Sequence, residues 1–394
     1  MSNRNLGILA VVAAIMVVWA VVQSRLSSQS VVKPSGPSYL IQGLDPSQIG
    51  SIVVGHGANA VTIQRRDQQF RVVNKADYPA DPKRINDLIT KCLDIKTLDA
   101  YTSNAKNHED LEVTEEKAHG VVKFLRADGS VLTGVIIGKS VENGQNTYVR
   151  LASQDTVYLA ESAPYIRSTA IDYVNQEIVS VKREDVNSVT VTTPDGSYTL
   201  RSAEGDAVVM ADLPDDKKLK DSDAKSVLGA LNSLRFDDVN TPSAAGELSF
   251  DYRYVCRLDD STEYRFQIAR KDGKAYVVCD AEFTDKTPVT MKPGQVESQE
   301  ELKKKEAKLQ AQERAQRFTL RHKDWVYQIP EWKANYLTKR QADLVEDRAK
   351  PAAEKPAATP AESSPPAAAA QPPVPEPATA PDPAPAQSAD PNAG

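Results

Sequence analysis

Few residues of this chain have the types and spacing to do chemistry. His108, Glu109, Asp110, Glu115, Glu116 and His119 form the one cluster that mixes imidazoles with carboxylates. Zinc would need such side chains to converge from a fixed frame. These lie on a polar connection between a predicted helix and a predicted strand, which reads as a solvated loop. Gly55-His56-Gly57-Ala58-Asn59-Ala60 mimics a dinucleotide fingerprint. That site requires a helix next, with its N-terminus at the pyrophosphate. Val61-Thr62-Ile63-Gln64-Arg65 is strand-like instead, so a hairpin turn is expected. Asp215-Asp216 and Asp259-Asp260 are adjacent acids at predicted turns. Adjacent carboxylates make no general acid/base pair without a cleft around them. No G-x-S-x-G, H-E-x-x-H or P-loop pattern occurs.

The three cysteines read as structural. Cys92 lies on an apolar helix stripe, as a small core residue does. Cys256 and Cys279 fall on the first and third strands of a predicted meander, about 9.6 Å apart. A disulfide needs Cα atoms within about 7 Å, so free thiols are expected. These readings imply no catalytic residue, no metal ligand and no small-molecule cofactor. Four positions are candidates for partner binding. Leu302 and Leu309 are seven residues apart on an otherwise charged helix, and Trp325 and Trp332 flank Pro330. Buried aromatic anchors of this kind often carry protein interfaces.

The elements that must position these residues form two similar sets. Asp45-Pro46-Ser47-Gln48-Ile49-Gly50-Ser51-Ile52-Val53-Val54 aligns with Lys182-Arg183-Glu184-Asp185-Val186-Asn187-Ser188-Val189-Thr190-Val191, 137 residues on. Each set reads as three short strands followed by a helix. Ile85, Leu88, Ile89, Cys92 and Ile95 make one apolar stripe, and Ala224, Val227, Leu228, Leu231 and Leu234 repeat its spacing. Asp81 before Pro82 suits the first helix start, and Ser222 or Asp221 the second. Three strands follow in each set, at 121–127, 131–138 and 147–151 and at 252–258, 263–269 and 275–279. The first set closes with a strand at 156–160 and a short helical stretch from Ser162 to Val174. The second closes with a strand at 325–329 and a helix from Glu331 to Glu346. The expected fold class is α+β: two tandem repeats, each a mostly antiparallel β-sheet with an amphipathic helix packed on one face.

Composition sets the surroundings. Leu6 to Val22 is an uncharged run of 17 residues, able to span roughly 26 Å as a helix. The expected layout is a cytoplasmic head at 1–5, a transmembrane anchor at 6–23, a linker at 24–38, a first repeat at 39–178, and a second repeat at 179–347. The second repeat carries a charged helical insertion at about 283–323, read as a solvent-exposed arm. A disordered tail at 348–394 holds 13 of the 25 prolines from Pro351 onward. Residues 351–394 carry −4 of the net charge of −6, which leaves the rest near balance. Such balance argues against nucleic acid as a partner.

The order of these pieces also resembles a known family. It runs Gly43-Leu44-Asp45-Pro46, Ile52-Val53-Val54, Phe70-Arg71-Val72 and Pro79-Ala80-Asp81. After the amphipathic helix come Ile136-Ile137-Gly138-Lys139, Asn146-Thr147-Tyr148-Val149-Arg150-Leu151 and Thr156-Val157-Tyr158-Leu159. This resembles the domain of unknown function 4340 (DUF4340) family, closely over about 40–180 and more loosely to about 346. The resemblance implies single-pass extracytoplasmic companions of ABC-type transport systems, related to gliding-motility auxiliary proteins. It carries over no catalytic or binding residues. The expected function is a non-enzymatic adaptor or structural subunit at the cytoplasmic (inner) membrane, with most of the chain outside the cytoplasm. Its expected partners are the membrane and the proteins of a transport or envelope complex. The alternatives are an envelope hydrolase with a site between the repeats, or a cell-wall or glycan-binding module.

Overall fold

In the computed structural model, residues 38–142, 144–289 and 298–348 are described. The expected head and anchor, nearly all of the linker, and nearly all of the tail lie outside them. No helix among the described residues is long and apolar enough to cross a membrane.

The first half contains β1 (Ser38–Tyr39), β2 (Ser51–Val54), β3 (Val61–Arg66), β4 (Gln69–Val72) and β5 (Tyr78–Pro79). Then come α1 (Pro82–Leu93), β6 (Lys96–Thr102), β7 (Gly120–Leu125), β8 (Val131–Ser140), β9 (Thr147–Leu151) and β10 (Val157–Ala160). They build one sheet in the order β1-β6-β10-β9-β8-β7-β2-β3-β4-β5. The second half runs β11 (Glu177–Val179), β12 (Val186–Thr193), β13 (Gly196–Ser202), β14 (Val208–Met210), β15 (Lys217–Leu219), α2 (Asp221–Leu228), β16 (Leu234–Arg235) and β17 (Asp238–Asn240). It continues with α3 (Pro242–Ala245), β18 (Tyr252–Leu258), β19 (Thr262–Lys271), β20 (Lys274–Phe283), α4 (Gln299–His322), β21 (Val326–Ile329), α5 (Glu331–Leu337), α6 (Gln341–Leu344) and β22 (Val345–Asp347). Its main sheet is β14-β13-β12-β18-β19-β20-β21-β17, with β11-β16 and β15-β22 as small side pairs.

The fold is therefore α+β and its sheets are antiparallel. Read from β6, the first sheet runs β6-β10-β9-β8-β7-β2-β3-β4. Read from β17, the second runs β17-β21-β20-β19-β18-β12-β13-β14. The same step of the chain fills the same place in each. In each sheet the helix carries the chain from one edge to the other. The later strands then meander back to the edge that the helix reached.

Periodicity explains the core. Ile52, Val54, Val61 and Ile63 alternate inward from β2 and β3, and Ile85, Leu88, Ile89 and Cys92 of α1 are buried. Burying each large apolar side chain is worth about 1.5–3 kcal/mol. Asp81 caps α1, its Oδ1 accepting the Lys83 N–H at 3.0 Å, with Pro82 in the first position. The second helix departs from expectation. No side chain caps α2, and it ends at Leu228, with the Gly229 N–H donating to the Lys225 carbonyl. Leu231 and Leu234 stay buried, but beyond the helix end.

Three further expectations are corrected. The stretch Ser162–Val174 holds only one 3-10 turn, Ala170–Tyr173, because Pro164 interrupts the helix pattern. The segment Glu331–Glu346 is two short helices and a strand, since Val345 and Glu346 pair with Leu219 and Lys218. The insertion is not a free arm. Its helix α4 covers the end of β20 that β21 leaves unpaired: Thr319 Oγ1 accepts the Ala281 N–H at 2.9 Å and donates to the Ala281 carbonyl at 2.8 Å. Satisfying an open strand edge in this way removes a site of edge-to-edge association.

One hydrophobic cluster runs through both halves. At the seam, Tyr78 of β5 packs edge-on against Phe236, Trp325 and Tyr327, with ring centroids 5.6, 4.8 and 6.2 Å away. Phe236 and Tyr327 lie 4.9 Å apart. The Tyr327 hydroxyl meets His322 Nδ1 at 2.7 Å and the Tyr78 hydroxyl at 3.5 Å. Lys75 pairs with Asp238 at 2.7 Å beside this cluster. Burial holds His322 neutral, pushing its pKa from the ordinary 6.5 down to about 3, with Arg321 adding to the shift.

Two outcomes are expected. Phe236→Ala opens a cavity in the seam and should lower the unfolding free energy by about 3–5 kcal/mol in urea titration. For His322 the unfolded chain binds the extra proton, so its contribution is complete above pH 6.5 and declines as pH falls toward about 3. The stability difference between wild type and His322→Gln should therefore shrink through that window, by at most about 1.4 kcal/mol per pH unit. A difference independent of pH would contradict it.

Candidate functional site

Two surfaces stand out among the described residues. The first is a cleft of about 570 Å³ where the halves meet. One wall is the β3–β4 turn and β4, with Gln68, Gln69 and Phe70. The floor is Tyr78, Pro79 and Ala80, followed by the start of α1 with Asp81, Pro82, Ile85 and Asn86. Asn175 and, from the second half, Arg321 complete it. Asp81 is already engaged as the α1 cap and lies 3.5 Å from the Arg84 guanidinium. The Arg65 guanidinium covers one face of the Phe70 ring at 4.7 Å. Gln68, Gln69, Asn86 and Arg321 are exposed, so the cleft is open to solvent.

The second surface is the outer face of α4. A capping box starts this helix: Ser298 Oγ accepts the Glu301 N–H at 3.3 Å, and the Glu301 carboxylate accepts the Ser298 N–H at 3.0 Å. Ala311, Ala315, Phe318 and His322 are its buried residues. Lys308 and Arg314 tie it down through Asp285 and Asp260, each at 2.6 Å. The hydrogen bonds from Lys308 and Thr287 hold the Asp285 carboxyl far below the usual carboxylate range. At about 100° per residue, Leu302, Leu309 and Leu320 fall within roughly 20° of one line, on the side opposite the buried residues. They are 47%, 51% and 66% exposed. Glu313 lies about 20–40° from this line and Glu306 about 40–60° from it.

The other residues singled out in the sequence are placed as follows. Trp325 lies half-buried at the seam against Tyr78 and does not share a surface with the α4 leucines. Trp332 is exposed on α5, edge-on to Tyr336 at 6.1 Å. Its neighbour Lys333 turns inward, where its ammonium donates to the Ala230 and Asn232 carbonyls at 3.0 and 2.5 Å, and burial lowers its pKa. Cys92, Cys256 and Cys279 are buried free thiols, all pushed up by burial, Cys92 and Cys256 to about 12. Cys256 and Cys279 sit on strands separated by β19, facing Tyr264 and Phe266.

The His/acid cluster does not converge. His108 is buried with Nε2 on the Asp155 carbonyl at 2.8 Å, while exposed His119 pairs with Glu112 at 2.8 Å. Among the described residues, no group of three or more His, Cys, Asp or Glu is placed to hold a metal. The connection is more than a solvated loop: Leu111 and Val113 cover the second face of the first sheet, against Val121, Ile136, Tyr148 and Val157. Gly138 permits this, since a Cβ there would lie 2.4 Å from the Leu111 carbonyl oxygen. Gly57–Asn59 is a 3-10 turn joining β2 to β3, as the hairpin reading requires.

Sequence reasoning named a site between the repeats only as an alternative, and missed the residues that line the cleft as well as Leu320. The cleft residues come from three distant segments and share no motif. Leu320 lies outside the charged run that marked Leu302 and Leu309, although its 11-residue spacing from Leu309 was a usable signal.

No curated protein and no solved structure matches this chain. Residues 71–253, from β4 into β18, match the family model described as a domain of unknown function, DUF4340. Over that span the chain carries a DUF4340 domain.

Proposed function

We propose that this protein is a non-enzymatic adaptor or structural subunit, accessory to an ABC-type transport or envelope complex. In this reading residues 6–23 anchor it as a single pass in the cytoplasmic (inner) membrane, and the bulk of the chain lies outside the cytoplasm. Residues 39–178 and 179–347 are two copies of one unit, which the shared strand order supports. The tail from 348 onward is a disordered Pro/Ala-rich extension.

The observation that carries the reading is the α4 face. Three leucines are held outward on a helix whose opposite side is pinned to the body. Exposed apolar side chains on a rigid element suit a helix-in-groove or helix-pair contact. Glu306, which has no cation partner among the described residues, favours a partner helix whose apolar stripe is flanked by Lys or Arg.

A photo-reactive residue at position 309 of the full chain should capture a discrete partner in intact cells. In that background, Leu302→Glu with Leu320→Glu should abolish the capture and change stability by no more than about 0.5 kcal/mol, as expected of exposed positions. An unchanged pattern in the double variant would remove the reading. A phosphatase reporter fused after Gly394 should be active only if the chain crosses the membrane as proposed; an inactive, correctly folded fusion would reverse the orientation.

A further inference from the structure

We infer that the cleft at the seam binds a saccharide that carries a carboxylate. Its volume of about 570 Å³ is of the size that holds small molecules. Three carboxamides, those of Gln68, Gln69 and Asn86, line it with no hydrogen-bond partner among the described residues. A fourth, Asn175, spends its Oδ1 on the Glu177 N–H at 3.0 Å and leaves its NH2 free. Each carboxamide presents a donor and an acceptor in one plane, which suits neighbouring sugar hydroxyls. Phe70, Pro79 and Pro82 supply apolar surface for the C–H face of a ring.

The charge in the cleft selects an acid. Asp81 is neutralised in place by the α1 N-terminus and Arg84. Arg321 has no carboxylate partner among the described residues, and it is the only cation in the lining. A guanidinium fork matches a carboxylate in two parallel hydrogen bonds. An extended peptide is disfavoured because β5 offers it no ladder. Pro79 has no N–H, and the N–H groups of Ala80 and Asp81 are spent on the Phe70 and Tyr173 carbonyls, both at 2.8 Å.

Backbone conformation supports the same place. Asp67 and Gln68, and then Ala76 and Asp77, are in the left-handed region, with φ of 48°, 66°, 52° and 62°. These two turns bracket β4 and present Gln68 and Tyr78 to the cleft. Non-glycine residues stay in that region where the surrounding structure imposes it.

The test is calorimetric titration of the full chain with glucuronate, N-acetylmuramic acid, glucose and acetyl-trialanine. At least one acidic sugar should bind saturably, and glucose about tenfold more weakly, the loss expected from one charge-assisted contact. Arg321→Gln should reduce the acidic sugar to the glucose level, while Asn86→Ala should weaken both sugars by a similar factor. Both side chains are exposed, and matching urea midpoints would show that the variants fold. N-acetylmuramic acid against glucuronate tells a wall-derived source from a uronate. No saturation up to about 10 mM, beyond the millimolar range of weak sites, would overturn the inference. So would equal binding of glucose and the acids, indifference to Arg321→Gln, or tighter binding of the peptide.

Discussion

Tyr78 stands at the end of the first sheet, and its ring is enclosed almost wholly by the second half. Phe236, Trp325 and Tyr327 surround it, and its hydroxyl reaches Tyr327, which in turn meets His322. Aromatic rings bury large areas and prefer such edge-on contacts. Each half has its own sheet and helix, yet the apolar cluster is continuous because this group of rings bridges them. The cleft follows from the same contact. Its floor is the exposed flank of the β5 segment that Tyr78 anchors, and Arg321 reaches it because His322, one residue on, is locked into the seam.

The long helix α4 has two faces with different work. Its C-terminal half closes the open end of β20 through Thr319, and packs Phe318 beside Tyr264 at 5.0 Å. That fixes the direction in which the opposite face looks. The leucines are therefore presented at a defined angle to the body, which a flexible insertion could not achieve. The halves differ most here: where the first joins β9 to β10 through the short link 152–156, the second inserts this helix between β20 and β21.

Buried ionisable groups at the seam are kept neutral or are fully hydrogen-bonded. His322 is neutral, and Tyr327 is pushed far above its ordinary range by burial. Away from the seam, inside the second half, Lys333 donates to two carbonyls. Unpaired charge in such a place is strongly destabilising, so this arrangement serves packing. The polar groups with free valences lie instead around the cleft, where Gln68, Gln69 and Asn86 face solvent.

The strands, the apolar stripe of α1 and the turn at Gly57 were legible from sequence, because they depend on local alternation, helical period and turn chemistry. Leu302 and Leu309 were legible for the same reason, as a seven-residue spacing on a charged helix. The alternating apolar segments also foretold an α+β fold of mostly antiparallel sheets with a few helices. What tertiary structure alone decided were contacts between residues far apart in the chain. Tyr78 and Tyr327 are 249 positions apart, and no local pattern pairs them. The packed face of α4 was hidden because Ala311 and Ala315 are small and read as neutral, and only the uncovered edge of β20 gives them a surface to meet. The placement of Trp325 at the seam, and the joining of residues 68–86, 175 and 321 into one cleft, rest on the same physical fact: burial and enclosure belong to the folded surface and leave no period in the sequence.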